Sequence, residues 1–375
     1  MGADDLGRAQ VTARLGELVS AETPSADAAL MSRAHDIVNS WIAPILGVDG
    51  ERVDVGGTRH LRWAASDSPR VLLLGHLDTV WPRGTVATRP FTVDGDRAAG
   101  PGVFDMKAGI VIAAEALARV ARPQDVAVLF TSDEEIGSPT SRALIEREAA
   151  RVDAVLLLEP SMGGAVKTTR KGGSFYRLEF HGRAAHAGLE PESGRSALVE
   201  LAHTVLELPR LADAALGTTV NPTVAQAGTA RNVIPEHAEM RVDVRAWSLA
   251  ELERVDRAMA QLRAVTPGVE VVVAGGINRP PMEETVSRDL LALARAEALR
   301  LRQGQLEAVP AGGASDGNFT AAIGTPTLDG LGPDGGGAHA VDEWASITSV
   351  MARIDLVVGM LDVLTHQDTS AATWR

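Results

Sequence analysis

Residues 71–80 read Val-Leu-Leu-Leu-Gly-His-Leu-Asp-Thr-Val. The apolar run before Gly-His-Leu-Asp predicts a buried β-strand that carries an imidazole and a carboxylate at its carboxyl end. Side chains two positions apart point to the same side of an extended chain, so His76 and Asp78 are expected to lie together. This pairing is typical of a metal ligand and the group that orients it.

Two further apolar segments, residues 125–131 and 153–158, have the character of buried strands. Segments with helical spacing, 107–120 and 141–148, separate the three strands. Strands that alternate with helices predict an α/β fold, with a mainly parallel sheet and helices on both faces. The other predicted elements of this part are helices over 8–20 and 28–46, a hairpin over 52–65 and a Gly/Pro-rich loop over 81–103.

The pattern changes near Gly172, because residues 174–181 alternate between apolar and polar side chains and predict a half-exposed strand. The elements predicted after it are a helix over 194–208, strands over 219–229 and 237–247, a helix over 249–264 and a strand over 269–273. This β-α-β-β-α-β order predicts a compact α+β domain. It looks inserted, since a helix over 289–302 and strand-like pieces follow it. We therefore expect a catalytic domain in two parts, 1–172 and 283–375, with an inserted domain over 173–282.

The composition of the 375-residue chain limits its class, and its length alone predicts two domains. The net charge of −13 argues against a nucleic-acid binder, which usually has a basic face. The chain has no cysteine, so a metal would have to be held by His and carboxylates. We see no secretory leader and no apolar run near the roughly 20 residues that span a bilayer. We therefore expect a cytoplasmic enzyme without a membrane partner.

Ionisable side chains follow all three predicted parallel strands. Ligands bind outside the carboxyl ends of the strands in open α/β sheets, so these side chains are expected to share one crevice. Two further segments, a loop before a helix and a Gly-rich turn, supply an additional Asp and His. The residues are His76 and Asp78 after the first strand, Glu134 and Glu135 after the second, Glu159 after the third, then Asp105 and His339.

This set of side chains predicts bound cations, because so many carboxylates cannot share a dry crevice unpaired. Imidazole and carboxylate without thiolate suit zinc, or failing that manganese or cobalt. Two histidines and three carboxylates are too many ligands for one metal ion. They suit two metal ions that are bridged by one of the carboxylates.

The motifs of the chain between about residues 70 and 345 resemble those of the M20 di-zinc metallopeptidases. This family includes glutamate carboxypeptidase, acetylornithine deacetylase, succinyl-diaminopimelate desuccinylase and aminoacylase. The glutamate carboxypeptidase branch is the most similar, through LEPS, AAHAG and residues 278–281 (Asn-Arg-Pro-Pro). The motifs, in family order, are GHLDTV, GPGVFDMKAG, TSDEEIGS, LEPS, GRAAHAG, RNVIP, GGASDGNF and HAVDE.

The resemblance implies a zinc-exopeptidase-like catalytic domain with two Zn²⁺ ions, for which Co²⁺ or Mn²⁺ are possible substitutes. His76 and Glu159 would hold one ion, and Glu135 and His339 would hold the other. Asp105 would bridge them, often with a cis peptide bond after it.

The resemblance also implies the reaction. Glu134 would be the general base that takes a proton from a water between the metals, and the hydroxide would attack the amide carbon. Asp78 would orient His76. His186, in the inserted lid or dimerisation domain, would stabilise the oxyanion, in several family members across a dimer interface.

Four substrate-binding residues are implied as well. Arg279 matches the position that grips a substrate α-carboxylate, although an arginine at a hinge could equally pair with a structural carboxylate. Asn232 matches a further polar contact, or serves only the turn before Val-Ile-Pro. Gly312 and Gly313 would line the floor near the carboxylate through their backbone N–H groups.

The resulting expectation is a hydrolase that cleaves an amide bond next to a free α-carboxylate and releases glutamate or a similar amino acid from an acyl or peptidyl group. The alternative is an N-acyl-amino-acid deacylase of a biosynthetic pathway, with a free or carrier-protein-bound substrate. A non-catalytic ligand-binding member is a remote third reading, against which the intact ligand set argues. We expect a homodimer through the inserted domain.

Overall fold

The computed structural model describes residues 3–25 and 27–366, which form two compact units. The first unit contains the described residues up to Thr169, Glu284–Ala311 and those from Ser315 onward. The second unit contains Arg170–Glu283 and Gly312–Ala314.

The strands are β1 Glu51–Val55, β2 Thr58–Trp63, β3 Val71–His76, β4 Thr92–Asp94, β5 Arg97–Ala99, β6 Val126–Thr131, β7 Ala154–Leu157, β8 Val166–Arg170, β9 Gly172–His181, β10 Ala185–His186, β11 Thr219–Ala227, β12 Val233–Ile234, β13 His237–Ala246, β14 Glu270–Arg279, β15 Ala308–Ala311, β16 Thr327–Leu328, β17 Gly335–Gly336 and β18 Trp344–Ser346. The α-helices are α1 Ala3–Val19, α2 Ala28–Leu46, α3 Thr85–Thr88, α4 Ala108–Leu117, α5 Arg142–Ala149, α6 Ala197–Glu207, α7 Leu249–Ala260, α8 Arg288–Arg300, α9 Gly317–Ala322 and α10 Ile347–His366.

The first unit is built on a six-stranded sheet in the order β1-β2-β6-β3-β7-β16. Strand β3 lies inside it and is parallel to β6 and β7, and β16 is parallel to β7. The β1–β2 hairpin joins β6 in the antiparallel sense. This confirms the predicted mainly parallel sheet.

The side chains of β3 pack against helices on both faces of the sheet. Val71 and Leu73 belong to the core that includes α1, α2, α4 and α10. Leu72 and Leu74 belong to a second core, with α5 and with Phe319 of α9. Each of these side chains is fully buried, and each contributes about 1.5–3 kcal/mol to folding. This is why residues 71–74 are a continuous apolar run instead of an alternating one.

The second unit has an antiparallel sheet in the order β11-β13-β9-β14, with the buried side chains of α6 and α7 packed in its core. Alternate residues of β9 are buried and exposed, as the sequence predicted. Strand β14 continues to Arg279, whereas the sequence predicted a strand that stops at residue 273. The reason is Gly275, which has a φ of 108° and lies so close to β9 that a Cβ would meet the Phe175 carbonyl oxygen at 2.1 Å.

Two features of the first unit differ from the expectation. Residues 81–103 are not only a loop, because β4 and β5 form a small sheet with β17 and β18 from the far end of the chain. The 20-residue helix α10, which packs in the main core, was not predicted. In the described part of the chain, no helix combines the length and apolar character that crossing a membrane requires. The cytoplasmic location stays a prediction.

Candidate metal centre

The carboxyl ends of two neighbouring parallel strands and one loop form a first cluster. His76 ends β3, Glu159 follows β7, and Asp105 lies in the turn Val103–Lys107 before α4. The Nε2 atom of His76 lies 3.4 Å from Oδ1 of Asp105 and 3.5 Å from Oε1 of Glu159. One ligand atom from each residue can therefore face a common point.

A second cluster uses the other oxygen of Asp105. The Nε2 atom of His339 lies 3.3 Å from Oδ2 of Asp105 and 3.1 Å from Oε2 of Glu135, which follows β6. The two clusters thus share one carboxylate, with one oxygen turned to each histidine. The peptide bond between Asp105 and Met106 is cis, as the resemblance implied.

Asp78 is fully buried beside the first cluster, and it positions the turn at residues 134–135 as well as His76. Its backbone carbonyl lies 2.9 Å from Nδ1 of His76, and its carboxylate oxygen lies 3.4 Å from the same atom. The carboxylate also accepts the backbone N–H groups of Glu134 and Glu135, at 3.2 and 3.1 Å. Asp78 therefore holds both the imidazole and the turn that carries two of the predicted functional glutamates.

The acidic surroundings perturb the titration of the histidines. Burial opposes protonation of His76, but hydrogen bonds with Asp105 and Asp78 and the charge of Glu134 outweigh it and raise the His76 pKa well above its ordinary value. Hydrogen bonds with Asp105 and Glu135 raise the pKa of His339 to about 10. The site thus attracts positive charge strongly, as a cation-binding site must.

The donor set and its spacing fit metal ions. Two ligands of a tetrahedral zinc, at bonds of ~2.0–2.2 Å, lie about 3.3–3.6 Å apart, close to the 3.1–3.5 Å separations here. Oε1 of Glu135 is buried and has no hydrogen-bond partner within the described residues, and the buried Oδ1 of Asp105 faces only the His76 imidazole, 3.4 Å away, among the contacts described. A bound cation would satisfy such oxygens, whose burial otherwise costs free energy.

The residues predicted in the insert lie in the second unit, and the structure brings two of them together there. His186 in β10 pairs with Val233 in β12, so it lies next to Asn232, whose carbonyl accepts the N–H of Ala187 at 2.9 Å. The exposed ring of His186 accepts the N–H groups of Gly188 and Leu189 at Nδ1, both at 3.1 Å. In the neutral imidazole the proton is then on Nε2, which leaves that atom as the donor.

Arg279 and the two glycines also belong to the second unit. Arg279 is the last residue of β14 and is 7% exposed. Gly313 accepts a hydrogen bond at its carbonyl from the Arg170 guanidinium at 3.0 Å. Added Cβ atoms at Gly312 and Gly313 would meet nothing within 4 Å, so close packing does not require these glycines. The substrate-binding roles stay predictions.

The sequence analysis missed two residues that contact the clusters. Ser25 donates its hydroxyl to Asp78 Oδ2 at 2.7 Å from an N-terminal segment without a recognisable motif. Glu343 accepts backbone N–H groups of the Asp105 turn. Glu343 is the last residue of the HAVDE motif, and its position four residues after His339 was the only hint in the sequence of a role near the site.

Comparison with known proteins shows which family and which relatives the chain is similar to. The profile of the family described as peptidase family M20/M25/M40 matches residues 72–362. Carboxypeptidase G2 of Pseudomonas sp. (strain RS-16) is 33% identical over 306 residues, which cover 78% of this chain and 73% of the relative. Succinyl-diaminopimelate desuccinylase of Paracoccus denitrificans is 32% identical over 301 residues, 72% of this chain and 75% of the relative. The fold resembles that of an M20-family metallo-carboxypeptidase from Sulfolobus solfataricus, with a TM-score of 0.74, 16% identity, and coverage of 93% and 98% of the two chains.

Proposed function

The chain belongs to peptidase family M20/M25/M40 and is a hydrolase, and we propose that it cleaves an amide bond next to a free α-carboxylate with the help of two metal ions. The observation that carries the proposal is the shared carboxylate. Asp105 turns one oxygen to His76 and the other to His339, and each histidine has a second carboxylate of its own within 3.5 Å.

His76, Asp105 and Glu159 would hold one ion, and Asp105, Glu135 and His339 the other. We propose zinc, because the set consists of imidazole and carboxylate ligands and their spacing suits a tetrahedral ion. Bound at these residues, the ions would supply Lewis-acid polarisation of the scissile carbonyl and a lowered pKa for the attacking water.

Glu134 is the proposed general base. Its backbone N–H is held by Asp78, and its carboxylate acts electrostatically on His76. In this role Glu134 takes a proton from the attacking water at its carboxylate and donates it to the leaving amine nitrogen. The neighbouring Glu135 cannot share the role, because its carboxylate faces His339.

His186 and Arg279 are the proposed contacts to the substrate. Two backbone N–H groups donate to Nδ1 of His186, and in the proposed role its Nε2–H would donate to the oxygen of the attacked carbonyl. The Arg279 guanidinium suits the α-carboxylate of the amino acid that leaves, since it can bind both carboxylate oxygens at once. Asn232, next to His186, would add a polar contact.

We propose glutamate or a similar amino acid as the product, supported by the 33% identity to a carboxypeptidase. The second candidate, an N-acyl-amino-acid deacylase, is supported by the 32% identity to a desuccinylase. Both reactions leave a free α-carboxylate on the amino-acid side, so the proposed site chemistry is the same.

A substrate panel tests this proposal and separates the two candidates. Purified protein, with and without prior chelation, is incubated with peptidyl-glutamates, N-acetyl and N-succinyl amino acids, and amides without an α-carboxylate. We expect release only from substrates with the carboxylate, and only before chelation. Full hydrolysis after verified metal removal would contradict the metal-dependent mechanism.

A further inference from the structure

The buried carboxylate of Glu343 is the meeting point of two segments of the first unit. Its Oε1 accepts the backbone N–H groups of Phe104 and Asp105, both at 3.0 Å. Its Oε2 accepts the N–H of Gly102 at 2.8 Å and the indole N–H of Trp81 at 3.0 Å. With 1% of its surface exposed, Glu343 has all four hydrogen bonds inside the protein.

On one side, Glu343 fixes the turn that carries Asp105. The N–H groups of Gly102, Phe104 and Asp105 all converge on this one carboxylate. Gly102 has a φ of 72°, and a Cβ there would lie 2.5 Å from a methyl carbon of Thr79, so the turn is also packed tightly from outside. Successive N–H groups that face one point form an anion-binding concavity, and here the chain supplies the anion itself.

On the other side, Glu343 closes the turn that carries His339. Ala340 donates its N–H to the Gly337 carbonyl at 2.8 Å, and Glu343 donates its own to the Ala340 carbonyl at 3.2 Å. A Cβ at Gly337 would lie 2.9 Å from the Cα of Glu343, so the two ends of this turn are in contact. These contacts fix the position of the Glu343 backbone relative to the turn that carries His339.

We propose that Glu343 is a positioning residue of the metal centre, which locks the Asp105 turn to the His339 turn so that the two residues face each other. This inference rests on the proposed function, since it assumes that both residues bind metal. Glu343 is not one of the proposed metal ligands, and the connection that it makes between the two turns is additional to them. The four hydrogen bonds of the Glu343 carboxylate come from backbone N–H groups and the Trp81 indole, so it acts through the backbone N–H of Asp105 and through the turn that it shares with His339.

The position of Glu343 predicts an uneven effect on the two metal sites. The second cluster contains both Asp105 and His339, whose turns are held by Glu343, whereas the first cluster contains only Asp105 of these two. Glu343→Gln keeps the side-chain shape but turns one acceptor oxygen into an NH₂ group, which leaves N–H donors of the turn or the indole without an acceptor. The second cluster should lose about 10- to 100-fold in affinity, as is common when a group that orients a ligand is altered.

The test is zinc titration of chelator-treated protein in competition with a chromophoric chelator, with thermal unfolding of the metal-free protein measured in parallel. Wild type, E343Q and D342N are compared. Asp342 is exposed and adjacent, so D342N makes the same change of charge without the buried contacts. We expect two ions in wild type and D342N with the same two affinities, and in E343Q one affinity lowered by about 10- to 100-fold with a much smaller change in the other.

The outcomes separate the two proposals. A wild type that takes up no zinc overturns both. A wild type with two ions and an E343Q variant with the same two affinities overturns the positioning role alone, even if E343Q unfolds at a lower temperature, because a purely structural role would do that. If E343Q does not fold, E343D carries the same test, since its side chain is one methylene shorter. Two affinities in E343D equal to those of wild type would overturn the inference.

Discussion

Replacement of Asp78 by asparagine tests how the centre is held in place. The carboxylate is fully buried and accepts three hydrogen bonds, from the Ser25 hydroxyl and the N–H groups of Glu134 and Glu135. The asparagine NH₂ must replace either Oδ1, which faces Glu134, or Oδ2, which faces Glu135. In both orientations one backbone N–H of the 134–135 turn loses its acceptor.

The expected magnitude follows from that count. A hydrogen bond to a charged acceptor contributes about 1.5–3 kcal/mol, so the free energy of unfolding of Asp78→Asn should fall by about this amount at pH 7. Burial opposes ionisation of Asp78, but the His76 imidazole, 3.4 Å from the carboxylate, and the hydrogen bonds from Ser25 and Glu135 outweigh it and hold the carboxyl pKa below its ordinary value. A depressed carboxyl pKa contributes stability that is present above the unfolded pKa of about 3.9 and is lost as the pH falls through the folded value. The difference between the two proteins should therefore shrink below about pH 4.

The assay combines urea unfolding of the metal-free proteins with amide hydrogen exchange of a peptide that covers residues 132–138. We expect faster exchange in Asp78→Asn at the N–H groups of the 134–135 turn. Asp94→Asn is the matched control, because Asp94 is exposed in β4. Unfolding and exchange equal to wild type would refute the claim that Asp78 holds this turn.

Three further predictions follow from the structure. Glu134→Ala should keep both metal ions but lower kcat by several orders of magnitude, since a general base alone typically contributes about 10²–10⁴-fold. A near-normal kcat with metal bound would show that Glu134 is not the general base. Arg279→Ala should raise KM for substrates with an acidic amino acid next to the amide, and a change confined to kcat would show that Arg279 is not the carboxylate anchor. Gly109→Ala should destabilise the first unit, because a Cβ at this position in α4 would meet the Leu158 carbonyl oxygen at 2.1 Å; an unchanged thermal midpoint would contradict the close approach of α4 to the chain after β7.

The parallel sheet could be predicted from the sequence because its strands are short, apolar and regularly separated by helices. These strands could be predicted without knowing which strands they pair with, because a strand buried on both faces is continuously hydrophobic in sequence. They cover residues 71–74, 126–130 and 154–157. The rule that sites lie at the carboxyl ends of such strands then placed His76, Glu135 and Glu159 near one another.

Elements that depend on distant partners were not predicted. Strand β5 forms a local hairpin with β4, but its other edge pairs with Trp344–Ser346, about 250 positions later, and no local pattern carries that second pairing. Gly275 and Gly276 look like a turn in sequence, yet β14 runs through both, and at Gly275 the strand approaches β9 too closely for a side chain. Local rules penalise glycine in strands and cannot recognise such an approach.

The supporting residues of the site were missed for a related reason. Ser25 reaches Asp78 because residues 23–25 run alongside Thr79, whose N–H donates to the Thr23 carbonyl at 2.8 Å. Glu343 in sequence is an acidic residue after a Gly-rich loop, and only the fold shows that it is buried among four donors. Ligands form a recognisable chemical set, whereas the groups that position them are ordinary residues whose role depends on contacts.

The central claim is that Asp105 is shared by two metal ions. Anomalous X-ray diffraction from crystals grown with zinc, collected on both sides of the zinc absorption edge, tests it most directly. We predict two zinc peaks, one beside His76 and Glu159 and the other beside His339 and Glu135, with a carboxylate oxygen of Asp105 on each. A single peak, or two peaks that Asp105 does not join, would contradict this account.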